Sequence, residues 1–346
     1  MKQNTAKYLI TLGLLFLCFQ AYTQDVKDYE DNNDSFSVLF WNLENFFDYR
    51  DEGKSDADEE FSPLGSKRWG KKKFYAKCNA IAKTLMWVLD EYGKLPDVIG
   101  FSEVENAFVL RSLLKQPSLK RTSYAIVHYD SKDSRGIDVA LLYNTKAFEY
   151  LYSEAIPIIS GEDTLKTRDI LLVTLKHKKG KKYNFIVNHH PSKYLGAQQT
   201  QIKRDLAMET LAKIVRNLTT IENLNKNQNQ DSLGKRISSE ELLIVMGDFN
   251  DNSEAPQMKK IEGLLFPKMF QGLDIGTIRY QGAWELIDFF FTSYNLKDKT
   301  KMFILKPPFL LEWDNAHSGF KPLRTYSGPR YRGGVSDHLP ILLQIF

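Results

Sequence analysis

Six apolar runs in this chain end on an acid, an amide or an imidazole, and this repeated join limits what the chain can fold into more than any other feature. VLFW leads into Asn42, with Glu44 two residues on; DVIGFS leads into Glu103; NFIV leads into Asn188, His189 and His190. LLIVMG leads into Asp248 and Asn250, Asp288 is set in WELIDFFF, and Asp337-His338 stand just before LPILLQIF. Short apolar runs rich in β-branched and aromatic residues read as buried strands. A carboxylate at the mouth of such a strand needs a partner or an ion, because a buried charge left alone is very costly. Segments so far apart in sequence can supply those partners to one another if their strand ends share one rim of a layered sheet structure.

The remaining pattern supplies such sheets. Strands are expected at 36–42, 97–104, 123–128, 137–143, 148–157, 169–176, 183–188, 242–247, 284–292, 302–307 and 339–345. The spacing of Ile81, Leu85, Val88 and Leu89 predicts a helix over 74–92, stopped before Pro96, and further helices are expected at 106–115, 198–218 and 256–264. Residues 48–66 read as a long surface loop, and 219–240, without periodicity, as a flexible insertion. No internal repeat or Pro/Gly linker divides the chain, so 36–346 is expected to be a single domain. Strands outnumber helices, and several neighbours suit antiparallel hairpins. That favours a strand-rich α/β layered domain over a parallel doubly wound sheet.

The first residues stand apart from this domain. Lys2 and Lys7 flank the start of an apolar stretch, YLITLGLLFLCF, and Ala21-Tyr22-Thr23 follow at a spacing suited to signal peptidase. The layout predicts a secretory signal over 1–23, a flexible leader over 24–35, and a secreted or periplasmic protein. The alternative is an uncleaved anchor, for which the apolar stretch is short. Cys18 lacks the small residue that precedes a lipidated cysteine. Past the cleavage point only Cys78 remains, too few for an internal disulfide, and its helical setting makes it a core residue. The 47 basic and 43 acidic residues nearly balance, so overall charge makes no case for a polyanionic partner and leaves a local basic patch open.

Each polar strand end also has a local reading. Asn42 suits a turn, Glu103 suits the N-terminus of the following helix, and GDFND suits a plain turn. Asp288, between Leu286-Ile287 and three Phe residues, is hardest to place that way. His128, His177 and His317 have no such setting and are expected to be structural or on the surface.

Taken together, FWNLENFFD, IGFSEVEN, RGIDVALLYN, IVNHHPSK, VMGDFNDN, IDFFF and GVSDHLPI make the sequence resemble the endonuclease/exonuclease/phosphatase superfamily. The stretches run from Phe40 to Ile341 in that family's order. The resemblance implies a four-layer α/β/β/α sandwich with two packed mixed β-sheets, and hydrolysis of a phosphate ester by an in-line water. Such a reaction needs a divalent metal, Mg²⁺ or Mn²⁺, an activated nucleophile and stabilisation of phosphoryl oxygens.

The resemblance also implies roles. Glu103 is the main metal ligand with Asn42 beside it, Glu44 holds the metal through water, and Asp337 is a further ligand or second-metal contact. His338 is a general base or phosphate partner, oriented by Asp288. His189 is the other active-site histidine, with His190 as the alternative. Asp248 orients or deprotonates the attacking water, and Asn250 donates to a phosphoryl oxygen. The base role stays open between His338 and Asp248. Arg135 and Lys193 are phosphate-binding candidates or solvated surface cations, and Asp138 supports His189 or pairs with Arg135.

The leading functional expectation is a secreted metal-dependent endonuclease or related phosphodiesterase acting on nucleic acid. The alternatives are a phospholipid, inositol or sugar phosphate hydrolase and a catalytically inactive binding module. A membrane-lipid substrate would suit KPPFLLEWDNAHSGF (306–320), where Phe309, Leu310, Leu311 and Trp313 cluster, unless these residues pack on the core. No protein partner is expected.

Overall fold

Ten of the eleven residues of β1 (Phe36–Phe46) are buried, on both faces of the strand. In this computed structural model, which describes residues 35–50, 53, 55–161, 163–193, 196–226, 241–268 and 276–346, the two faces of β1 enter two different cores. Phe36, Val38 and Phe40 meet the opposite sheet, while Leu39, Trp41 and Leu43 meet helices. A period of two with both phases apolar is what a strand needs inside stacked layers.

Two six-stranded sheets form the centre. The first joins β1, β2 (Val98–Val104), β3 (Tyr124–His128), β4 (Asp138–Asn144), β11 (Thr300–Ile304) and β12 (Ile341–Ile345), in the order β11-β12-β1-β2-β4-β3. The second joins β5 (Phe148–Ile156), β6 (Ile170–His177), β7 (Lys182–His189), β8 (Glu241–Asp248), β9 (Phe266–Lys268) and β10 (Asp288–Thr292), in the order β9-β10-β8-β7-β6-β5. Each sheet has one parallel pair, β1 with β2 and β7 with β8, and is otherwise antiparallel.

Val38, Phe40, Leu141 and Leu343 of the first sheet pack on Val173, Phe185, Ile244 and Met246 of the second. The outer face of the first sheet is covered by α2 (Lys71–Tyr92) and α3 (Ala107–Leu114), through Cys78, Ile81, Leu85 and Leu110. The outer face of the second is covered by α4 (Ala197–Lys226), through Met208, Leu211 and Val215. The layer order is therefore helix, sheet, sheet, helix. The cap of α2 is Gly93 at φ 74°, a left-handed stop that favours glycine. Asn106 caps α3 by accepting from the N–H groups of Phe108 and Val109.

Several sequence expectations change. The stretch 48–66 is not a plain surface loop: it contains α1 (Asp56–Glu60), capped by Ser55, and buries Phe61 against Phe47. Helix α4 continues to Lys226, into the expected insertion, and 227–240 lie outside the described residues. The helix expected at 256–264 is a short 3₁₀ turn, Pro256–Lys260. The strand expected at 284–292 breaks before Asp288, leaving Ala283–Glu285 in a separate hairpin. The expected signal peptide and the leader through residue 34 also lie outside the described residues.

Candidate active site

Strand register brings the first polar residues together. Asp248 ends β8 directly opposite His189 at the end of β7 and opposite Asp288 at the start of β10. Neighbouring strands lie about 4.8 Å apart, so these three side chains share one rim of the second sheet. Gly247 makes this spacing possible, because a Cβ there would lie 2.5 Å from the Asn188 carbonyl oxygen.

The first sheet contributes from the facing rim through backbone irregularities. The β1–β2 pairing shifts register between Asn42 and Phe46, and the β2–β4 pairing shifts between Ser102 and Val104. Within those bulges Glu44, Asn45 and Glu103 have φ of 45°, 55° and 58°. Such left-handed residues cost about 1–3 kcal/mol each, and bulges re-aim side chains at sheet ends. Glu103 is aimed so that its Oε2 accepts the Asn45 N–H at 2.8 Å.

The two rims converge on Asp248. Its Oδ1 accepts the Asn250 N–H at 2.8 Å, and its Oδ2 accepts from Asn42 Nδ2 at 3.0 Å. The same Oδ2 lies 3.6 Å from His189 Nε2 and 3.7 Å from His338 Nε2. His338 Nδ1 is held by Asp288 Oδ2 at 2.8 Å, and His189 Nε2 is 3.7 Å from Glu103 Oε1. Glu103, His189, Asp248, Asn250, Asp288 and His338 thus form one connected group with Asn42.

Electrostatics divides the two histidines. Burial disfavours charge on His338, but Asp288 and then Asp248 outweigh it and hold the imidazole well above its usual range. Burial, Arg168 and Arg135 push His189 well below that range, so it is neutral. The acceptors around its Nε2, Glu103 and Asp248, favour the tautomer with the proton there. Burial raises the Asp248 carboxyl to about 7, with the His338 charge opposing. His190 is turned away: it packs edge-on against Phe249 at 4.9 Å, with neither ring nitrogen hydrogen-bonded.

Other expected residues acquire different partners. Both Glu44 oxygens are engaged, Oε1 by Arg324 Nε at 2.8 Å and Oε2 by the Thr325 N–H at 2.9 Å. Asp337 pairs with the same guanidinium at 3.1 Å. Arg324 therefore bridges the two acids expected to serve a metal. Burial and Asp337 still raise Glu44 to about 7. The Asn250 amide, expected to face a phosphoryl oxygen, donates to the His190 carbonyl at 2.8 Å. Lys193 is tied to Asp251 at 2.7 Å. Arg135 stays at the site, 3.8 Å from Glu103 Oε1. Asp138 accepts the Ser131 N–H and lies 3.5 Å from His128 Nε2; its contacts are these, rather than His189 or Arg135.

Three supporting residues escaped the sequence reading. Lys77, fully buried in α2, donates to the Glu44 carbonyl at 2.6 Å and to Thr325 Oγ1 at 2.8 Å. Ser336 accepts the His338 N–H and donates to the Asn42 carbonyl. Arg168 donates to the His190 carbonyl at 2.7 Å. A charged residue inside an apolar helical face was the one available signal, and it pointed to Lys77.

The fit of a hard divalent cation rests on Glu103. Its Oε1 has no hydrogen bond, only His189 Nε2 at 3.7 Å and Arg135 at 3.8 Å, so its lone pairs are open. Oxygen donors of this kind suit Mg²⁺ or Mn²⁺. Asp248, Asp288 and His338 also bring ligand atoms within 4.8 Å of one another. His338 Nδ1 and Asp288 Oδ2 are themselves joined by a 2.8 Å hydrogen bond.

A family model described as the Endonuclease/Exonuclease/phosphatase family matches residues 37–346. No curated protein sequence matches. Among solved structures, an endonuclease/exonuclease/phosphatase family protein from Bacteroides thetaiotaomicron is 16% identical, with TM-score 0.54 over 90% of this chain and 97% of that one. A mannosyl-6-phosphatase from the same species is 15% identical, with TM-score 0.52 over 90% and 100%. A beta toxin mutant from Staphylococcus aureus with bound magnesium ions is 17% identical, with TM-score 0.56 over 90% and 100%. At these identities the likeness shows the shared fold.

Proposed function

This chain belongs to the endonuclease/exonuclease/phosphatase family, and on that premise we propose that it is a divalent-metal-dependent phosphodiesterase whose preferred substrate is a nucleic acid. The observation that carries the reading is the convergence of His189 and His338 on Asp248 Oδ2, beside the open Glu103 oxygen. Glu103 and Asn42 would hold Mg²⁺ or Mn²⁺, which when bound supplies positive charge to the phosphoryl oxygens.

The protein's own residues divide the remaining work. Asp288 fixes the His338 ring so that Nε2 faces the rim, and the carboxylates keep that ring protonated near neutral pH. His338 is thus a cationic donor for a phosphoryl oxygen. Asp248, locked at Oδ1 by the Asn250 N–H, presents Oδ2 to an attacking water and takes its proton. Its elevated affinity for protons suits a base acting near pH 7. Neutral His189 donates from Nε2 to a second phosphoryl oxygen. This divides the open base assignment in favour of Asp248. The N-terminal pattern over 1–23 supports export as part of the same reading.

Hydrolysis of bis-p-nitrophenyl phosphate with Mg²⁺ or Mn²⁺ tests the activity. Asp248→Ala and His338→Ala are each expected to lower kcat by about 10²- to 10⁴-fold. Wild-type rates in both variants would reject the assignment.

A second reading, phospholipid headgroup hydrolysis, draws on one hairpin. Leu310 is buried and Phe309 and Leu311 pack on the core, but Trp313 and Phe320 are 54% and 56% exposed and stacked edge-on at 5.4 Å. Turnover of sphingomyelin vesicles without plasmid nicking would favour this reading over the nuclease.

A further inference from the structure

Two clefts share Arg135, whose guanidinium lies 3.8 Å from Glu103 Oε1. One, about 240 Å³, contains Glu44, Glu60, Lys67 and Arg324. Its charges are internally matched: Lys67 pairs with Glu60 at 3.3 Å and Arg324 with Glu44 at 2.8 Å. The other, about 360 Å³, is lined on its charged side by Arg135, Lys166, Arg168 and Lys203, with Asp133 as the single acid. Asp133 is occupied by Arg168, at 3.2 Å, and by Arg135, at 3.8 Å. Among the described residues Lys166 and Lys203 have no ion pair, so the described lining carries an excess of positive charge.

The cleft is also joined rigidly to the reacting centre. Arg168 has 5% of its side chain exposed, and it donates to Asp133 on one side and the His190 carbonyl on the other. Burying a guanidinium costs several kcal/mol unless its partners are fixed, so the wall is held in place. Arg135 spans from this wall to Glu103 Oε1. Ser134, Ser192 and Thr200 add hydroxyl groups to the lining.

We propose that this larger cleft is a second anion subsite, which binds a phosphate of the substrate other than the one cleaved. The inference rests on the phosphodiesterase reading above and adds that the preferred substrate carries at least two phosphates. The extra one lies on the Lys166–Lys203 side, because that lining has three cations in excess of its acid and the smaller cleft has only Arg135 in excess. A nucleic-acid strand provides this chemistry as phosphodiesters; a sugar bisphosphate carries two phosphates but only monoester bonds, and serves as the contrasting multiphosphate.

The test compares wild type with Lys166→Ala/Lys203→Ala, two surface residues outside the reacting group. Substrates are bis-p-nitrophenyl phosphate, with one phosphate, a short oligothymidylate and glucose 1,6-bisphosphate. The double variant should keep its rate on the first and raise KM about tenfold on whichever multiphosphate is turned over, with kcat within about twofold and a shallower salt dependence. An equal change on all substrates, or no change on a multiphosphate, overturns the subsite. If wild type cleaves neither bis-p-nitrophenyl phosphate nor oligothymidylate, the phosphodiesterase reading fails. Anisotropy of labelled oligothymidylate on the chelated proteins then decides the subsite, with weaker binding by the double variant supporting it and equal binding overturning it.

Discussion

His338 Nδ1 and Asp288 Oδ2 lie 2.8 Å apart, although fifty positions separate the two residues. This contact sets both the direction of the His338 ring and its protonation. Asp288→Asn removes the charge and keeps the shape. We expect kcat to fall about 10²- to 10⁴-fold. His338 is held protonated partly by Asp288, so losing that carboxylate lowers the His338 pKa. The alkaline limb of the kcat/KM profile should move to lower pH, a shift that simple misfolding would not produce.

Glu103 carries the open oxygen of the site. Glu103→Gln should fold normally and lose the rise in Tm that wild type shows on adding Mn²⁺. A ligand at one hundred times its Kd stabilises a native state by about 2.7 kcal/mol. Thermal unfolding with Mn²⁺ and with chelator measures this directly. An equal Mn²⁺ response in the variant would show that Glu103 is not the ligand.

Two glycines should respond differently to alanine. At Gly100 the new Cβ meets Met246 Sδ at 2.6 Å, the movable part of a flexible side chain in the inter-sheet core. At Gly247 it meets the Asn188 backbone at 2.5 Å, on the residues that align His189 with Asp248. Gly100→Ala is expected to cost about 1–3 kcal/mol in urea unfolding with kcat nearly intact. Gly247→Ala should lose kcat as well, because backbone must move.

Burial, helped by Arg168 and Arg204, pushes the His190 imidazole down to about 3. Between pH 3 and 6.5 the unfolded chain takes up a proton at this residue and the native state does not. Native stability therefore falls as pH drops through that window, by up to about 1.4 kcal/mol per pH unit from this group. His190→Leu removes the contribution. Its urea midpoint should fall less than that of wild type between pH 7 and pH 5. Parallel falls would mean that His190 is protonated in the native state.

From the sequence alone the layered class and the polar strand ends that meet at the candidate site could be read. Both are written in short-range pattern: apolar alternation marks strands, and a polar residue at the end of a buried run must find a partner. Glu103, His189, Asp248, Asp288 and His338 stood out for that reason, and the family resemblance supplied the roles expected of them. The tertiary structure decided who meets whom. Arg324 comes from an irregular segment and reaches Glu44 across 280 positions, and Asn250 gives its amide to His190 sixty residues away. Asp138 similarly takes His128, not Arg135. Side-chain pairing depends on strand register and on bulges at Glu44 and Glu103, and these are settled only when both sheets close on a common core.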